Sequence, residues 1–530
     1  MPPPTTTQWL SLVGIIWLQS ISGTNTDFPA YSSQLKQLLS ISQVQLNNLA
    51  FASDAGKLFG WLSGIATNYL PLWLVLLIGS ILGMIGYGIQ FLFLINKISS
   101  LSYWQFFFLT ILAGNSICWI NTVCYVMSTR NFPSNRQVTL GLSTSYANLS
   151  AKIYTNIVEW FFPSSAKRAQ GYLLLNSMVP LGVCILTAPL LREVEVEKVK
   201  YIKGGFIVIF IITIATGIYA MFGSIEKISA GFSPWVHVCG MGVLLAAPLM
   251  IPLINWVRVV LKGKLWWTNS MRERRIYDLS VNEVGVSDRI EIDIKEKEEE
   301  GVVVEKDIEI IRVKEEIGVK LMVRKLDFWL YFFVYMFGAT LGLVYLNNLG
   351  QIAESRGHSN ATSLVSLSSS FGFFGRLMPS LFNYFFSKSR YMVSGVTCIV
   401  ILMVPMAGAF FLLLNTTNLS LYISTAIIGV STGAISSIAV SMTTELFGTK
   451  NFSVNHNVVV ANIPIGSFLF GYMAAILYQR ARYEGHGKCM GVGCYRKTFI
   501  IWGFICSLGT LLAFFLYLRT RKFYLQRQLE

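Results

Sequence analysis

The residues equipped to do chemistry are few, and the most informative sit inside apolar runs. Asp54 and Lys57 are three residues apart, which places them on one face of a helix. Arg376 stands in another apolar run with no acidic residue within a turn. An ionisable group at bilayer depth costs on the order of 2.5–3.5 kcal/mol on insertion scales, so each must face a bundle interior or a partner. Two readings stay open. Asp54 and Lys57 can form a local ion pair that neutralises both. Alternatively, Lys57 and Arg376 line a midplane cavity and bind an anionic group, with Asp54 as a proton-coupling or gating site. A guanidinium suits bidentate recognition of a carboxylate, although an arginine beside Gly375 could instead bond carbonyls at a helix crossing.

Further candidates lie in polar stretches at helix ends. Asn25 and Asp27 follow one apolar run, and Asn347 and Asn348 end another. These four are candidate solute contacts, with helix-end caps as the competing reading. Glu445 is a candidate gate or a solvated residue, and Lys152 falls mid-helix within reach of an interior carboxylate or water. Cys489 and Cys494 share one loop, so a disulfide is expected in an oxidising compartment; a metal site with His486 is the weaker alternative. No GxxxxGK[ST] run is present, which argues against an ATP-driven pump. Four histidines without a paired arrangement, and no recognisable Ser/His/Asp constellation, point to a protein that is no enzyme and needs no cofactor or catalytic metal.

These residues need a frame, and composition says which. Of 530 residues, 53% are hydrophobic and 13% are charged, and the mean hydropathy is +0.55. Soluble domains carry about a quarter charged residues. The apolar residues lie in runs of about twenty, and twenty helical residues cross a ~30 Å hydrocarbon layer. Backbone polar groups there must be satisfied internally, so the fold class is all-α membrane protein. Fourteen spans are expected, near 9–30, 46–68, 71–94, 103–127, 138–161, 169–191, 204–223, 235–260, 327–348, 361–386, 391–413, 419–444, 453–479 and 498–519. The first has no preceding basic residue and no convincing cleavage site, so it reads as a span and not as a signal peptide.

Residues 262–325 depart from this pattern, carrying 14 of the 42 Lys/Arg and 15 of the 27 Asp/Glu. The remainder holds 28 basic and 12 acidic residues. The basic excess therefore belongs to the membrane part, facing anionic headgroups, and is no nucleic-acid patch. The segment itself reads as a charged cytoplasmic loop. Both termini are assigned to the cytoplasm from Arg130, Arg136, the Arg192 to Lys203 cluster, Lys388, Arg390 and the Arg519–Lys522 tail. Arg480, Arg482, Lys488, Arg496 and Lys497 fall on the opposite side and disagree. Sequons at Asn360, Asn415 and Asn418 would lie on that exterior side. The expected organisation is a six-helix bundle at 1–191, two additional helices at 192–261, the charged loop at 262–325, and a six-helix bundle with a basic tail at 326–530. Gly56-Lys57-Leu58 and Gly375-Arg376-Leu377, in the second helix of each bundle, suggest related lobes.

Several long stretches resemble a known family. WLSLVGIIWLQSISGTNTDFPAYSSQLK at 9–36, SQVQLNNLAFASDAGKLFGW at 42–61 and YLPLWLVLLIG at 69–79 resemble the nodulin-like family of plant membrane proteins. NNLGQIAES at 347–355, TELFGTKNF at 444–452 and CMGVGCYRKTF at 489–499 resemble its nuclear-fusion-defective type. The resemblance implies the major facilitator superfamily: two six-helix bundles alternating access around a central cavity, here with two extra helices. Bacterial oxalate/formate exchangers are among the distant relatives it implies. One departure is clear. The superfamily expects an acidic residue four positions beyond a glycine after the second helix, whereas Gly64 is followed by Asn68 and Pro71.

The expected function is a secondary active transporter of a small solute, with an organic anion and proton coupling as its specific form. A non-transporting receptor or scaffold signalling through 262–325 is the alternative. The partners expected are the lipid bilayer and the solute, in a plasma or organelle membrane; the oligomeric state is left open, a monomer being compatible with the sequence.

Overall fold

The computed structural model describes residues 4–164, 167–194, 203–223, 231, 233–258, 260–261, 316–357, 361–386, 394–484 and 489–529. Most of the charged loop, Lys388, Arg390, Asn360, His486 and Lys488 lie outside the described residues.

Every described element is helical. In the N-terminal lobe, α1 (Pro4–Ser22) and α2 (Phe28–Leu38) are separated by a break at 23–27. The sequence reads one span over 9–30, but it cannot run through as one helix. Gly23 lies against the Ala147 carbonyl and Ser150, and Pro29 sits in the first turn of α2, where its missing N–H costs nothing. After a Ser42/Gln45 capping box, α3 (Gln43–Ala55) tightens into a 3₁₀ turn at Gly56–Phe59 and continues as α4 (Gly60–Tyr69). Then come α5 (Leu72–Leu94) and α6 (Tyr103–Asn131). The next pass is broken likewise: α7 (Arg136–Ser145), a 3₁₀ turn at Tyr146–Leu149, and α8 (Ser150–Phe161). The lobe closes with α9 (Arg168–Thr187).

Two additional helices follow, α10 (Lys203–Phe222) and α11 (Pro234–Ala246), the latter continuing through a short 3₁₀ turn. They lean on both lobes, α10 against the C-terminal lobe and α11 against α8. Gly205 lets α10 lie flush against Trp9, which also meets Phe132 and Phe206 edge-on.

The C-terminal lobe opens with α12 (Leu326–Tyr335), a π turn at Met336–Thr340 and α13 (Leu341–Ser355). It continues with α14 (Ala361–Phe386), α15 (Gly395–Leu412), α16 (Asn418–Phe447), α17 (Phe452–Val460), α18 (Asn462–Glu484) and α19 (Gly493–Leu529). A large apolar cluster around Tyr331, Tyr345, Phe410 and Trp502 holds this lobe together.

Ten helices among the described residues are long and apolar enough to cross a membrane. The other four expected spans, 9–30, 46–68, 138–161 and 361–386, fall on the helical stretches 4–38, 43–69, 136–161 and 361–386. Three of these are interrupted and the fourth carries a polar stripe, and all four meet at the lobe interface. Polar side chains and helix breaks are tolerated at bilayer depth where they are buried in protein or line a cavity.

Glu316 marks where the charged loop returns to the helices. Its carboxylate accepts from the Thr449 and Lys450 backbone N–H groups at 3.0 and 3.1 Å, just past Gly448 with φ +93°. We call that end of the molecule the loop face. The opposite end, where Cys489 and Cys494 are joined by a disulfide, is the disulfide face.

Candidate functional site

Between the lobes lies a cavity of about 60 Å³. At roughly 10–15 Å³ per water, that is room for a few waters or a few heavy atoms. Both lobes build its wall. Asn25 and Thr26 come from the α1/α2 break, Asp54 from α3, Asn347 from α13, and Ser368 and Arg376 from α14.

Asp54 reaches the wall because of what happens one turn later. Gly56 sits against the α6 backbone, where a Cβ would collide with Ile111 and Asn115, and Asn115 Nδ2 donates to the Gly56 carbonyl at 2.9 Å. That close approach anchors the 3₁₀ turn, and Lys57 Nζ folds back onto Asp54 Oδ1 at 2.6 Å. Asp54 Oδ2 faces the other lobe, accepting from Ser467 Oγ at 2.6 Å and from Asn347 Nδ2 at 3.5 Å. Lys57 is thus a buried counter-charge behind Asp54 and not part of the cavity wall.

Arg376 has a different setting. Its Nη1 donates to the Thr144 carbonyl of the opposite lobe at 3.2 Å, and its Nε has no partner among the described residues. That carbonyl is available because α7 gives way to a 3₁₀ turn within two residues. Among the described residues no carboxylate pairs with this guanidinium, and Tyr125 and Tyr335 lie within reach of its charge. The wall therefore carries one carboxylate, countered from behind by Lys57, and one cation held by a backbone dipole.

The lobes also touch on either side of the cavity. Towards the disulfide face, Asn47 Nδ2 donates to Asn348 Oδ1 and Gln351 Nε2 to Asn47 Oδ1, both at 3.4 Å. Towards the loop face, Gln137 bridges Asn383 and Glu445, and Asn457 Nδ2 donates to Thr122 Oγ1 at 3.0 Å.

Of the residues singled out in the sequence, Asn25, Asp54, Asn347 and Arg376 share the cavity wall. Asp27 does not: it points into the N-terminal lobe and meets Asn176. Asn348 turns to its own helix, donating to the Val344 carbonyl, and accepts from Asn47. Glu445 is buried at the loop-face contact. Sequence reasoning missed Asn148, Ser368, Ser369 and Thr432 on the wall and Ser467 behind it. A signal for two of them existed: four serines within residues 366–370 make a polar stripe that a lipid-facing helix would not carry.

Residues 8–253 match the family model described as Nodulin-like, and residues 310–526 match the one described as NFD4, C-terminal domain. The chain is 39% identical to Protein NUCLEAR FUSION DEFECTIVE 4 of Arabidopsis thaliana, over 98% of its own length and 89% of that protein's. The chain belongs to the nodulin-like family. The first family model takes in α10 and α11 with the N-terminal lobe, and residues 254–309, most of them in the charged loop, separate it from the second. A shorter match, 26% identical over 204 residues, links 36% of this nodulin-like protein to 41% of a probable transporter, MCH1, of Yarrowia lipolytica.

Solved structures show the same fold. The proton:xylose symporter XylE bound to 6-bromo-6-deoxy-D-glucose superposes with a TM-score of 0.53, 12% identity, and coverage of 96% of this chain and 95% of that one. An inward-facing, unoccupied bacterial homologue of the human lysosomal transporter Spinster gives 0.52 and 11%, over 97% of each chain. At such identities only the architecture is shared, which is that of the major facilitator superfamily.

Proposed function

We propose that this nodulin-like protein is a secondary carrier moving a small organic anion by alternating access. Arg376 is the anion-binding group, and Asp54 is the proton-coupling or gating group. One observation supports this above the rest: Arg376 faces a cavity shared by both lobes with its Nε unpartnered and, among the described residues, no carboxylate paired with it. A buried cation without an anion is costly, and a bidentate carboxylate would compensate it. The cavity favours a solute of few heavy atoms, such as a mono- or dicarboxylate. Asp54 bonds the opposite lobe through Ser467 and Asn347. Neutralising it would weaken both bonds and loosen the lobes where they must part. In this reading both termini face the cytoplasm.

Reconstitution into liposomes tests the proposal. Labelled mono- and dicarboxylates, amino acids and sugars are offered with and without an imposed pH gradient. Carboxylate uptake by the wild type, lost in Arg376→Ala, is the expected result. Uptake confined to neutral or cationic solutes would overturn the anion assignment, and binding without flux would turn the protein into a receptor.

A further inference from the structure

The α1/α2 break has two sides. One presents Asn25 and Thr26 to the cavity. The other presents Asp27 to the interior of the N-terminal lobe, where it is fully buried. Asp27 occupies the N-cap position of α2, yet its side chain caps nothing. Its Oδ1 instead accepts a 3.3 Å bond from Asn176 Nδ2 of α9, and its Oδ2 finds no hydrogen-bond partner among the described residues. The same amide also donates to the Thr24 carbonyl at 3.4 Å, while Asn176 Oδ1 likewise has no donor.

No basic side chain among the described residues acts on this carboxylate. The titratable groups around it are phenols: Tyr31 on α2, Tyr87 on α5, Tyr154 on α8 and Tyr172 on α9. The hydroxyls of Tyr87 and Tyr154 are directed elsewhere, to Thr24 Oγ1 and the Ile21 carbonyl, each at 3.1 Å. A buried carboxylate that meets only a neutral amide and its own backbone N–H carries a desolvation penalty that no cation among the described residues offsets. Two bare oxygens, beside the carbonyl end of a broken helix, make a place where positive charge is favoured.

We propose that Asp27, with Asn176 Oδ1 and Thr24, binds a single positive charge, a proton or Na⁺, at a site distinct from the solute cavity. One formal negative charge calls for a monovalent cation. The five-residue break carries both sites on its two sides, so filling the cation site shifts the position of Asn25 and Thr26 on the cavity wall. This site goes beyond the anion reading and does not depend on it, because Arg376 belongs to the other lobe.

The test is the thermal stability of the purified full chain in detergent. One arm exchanges choline chloride for NaCl at constant ionic strength and pH; the other varies pH in choline chloride. A Na⁺ site gives a saturable rise in Tm with NaCl. A proton site gives stability present at low pH and lost as pH rises. Asp27→Asn should abolish whichever response the wild type shows, and should start from a higher Tm in Na⁺-free buffer at high pH. Arg376→Ala should keep the response. Asn176→Ala covers the case in which Asp27→Asn does not fold, with half-saturation raised about tenfold, equivalent to ~1.4 kcal/mol. A full response in Asp27→Asn or unchanged half-saturation in Asn176→Ala would overturn the proposal. So would a wild type indifferent to both Na⁺ and pH.

Discussion

Removing one partner of the Asp54–Lys57 pair should cost far more than removing both, and the two single variants should not cost the same. The pair is buried, with side-chain exposures of 9% for Lys57 and 3% for Asp54. Breaking such a pair typically costs about 3–5 kcal/mol, because the surviving charge stays buried and uncompensated. Lys57→Met leaves Asp54 with the Ser467 hydroxyl at 2.6 Å and the Asn347 amide at 3.5 Å. Hydrogen bonds to a charged group contribute about 1.5–3 kcal/mol each, so this variant should fall at the lower end of the range or below it. Asp54→Leu leaves Lys57 without its one hydrogen-bond acceptor among the described residues, and should lie at the upper end. The double variant should recover to within about 1 kcal/mol of the wild type, since no unpaired charge remains. The assay is thermal unfolding of the four proteins in one detergent, read as a double-mutant cycle. Effects that add within about 0.5 kcal/mol, or Lys57→Met proving the worse single change, would refute the reasoning.

Gly433→Ala should destabilise the chain by about 1–3 kcal/mol, since the new methyl meets the Gly372 backbone where α14 and α16 cross, and a backbone cannot step aside; thermal unfolding reads it. Cys489 and Cys494 are five residues apart, and a loop that short contributes about 2 kcal/mol. Reductant should therefore lower the Tm of the wild type and leave a Cys489→Ser/Cys494→Ser variant unmoved. Gln137→Leu removes the amide that joins Asn383 to Glu445. In a Ser368→Cys background it should speed labelling of the cavity by a thiol reagent applied from the loop face.

The spans were legible wherever a helix faces lipid. For α5, α15 and α19, apolar runs of membrane length carry the signal by themselves. The breaks at 23–27, 56–59 and 146–149 were not legible, because the contacts that set them come from distant helices: Ala147 against Gly23, Asn115 against Gly56. The site divides similarly. Asp54 and Arg376 announce themselves because charge is expensive in an apolar run. Lys57 and Asp27 do so equally, yet they face away from the cavity, and a turn of one helical residue decides which way each points. Asn148 and Thr432 give no warning, since a lone polar residue in a span is as often a packing contact as a wall.

Ligand-dependent thermal stability of the purified protein tests the anion-carrier account most directly. The panel holds mono- and dicarboxylates, amino acids and sugars, offered to the wild type, Arg376→Lys and Arg376→Ala. A carboxylate at a hundred times its Kd should stabilise the wild type by ~2.7 kcal/mol. Arg376→Lys should respond weakly, having lost bidentate geometry, and Arg376→Ala should not respond. An equal carboxylate response in Arg376→Ala, or stabilisation by neutral solutes alone, would contradict the account.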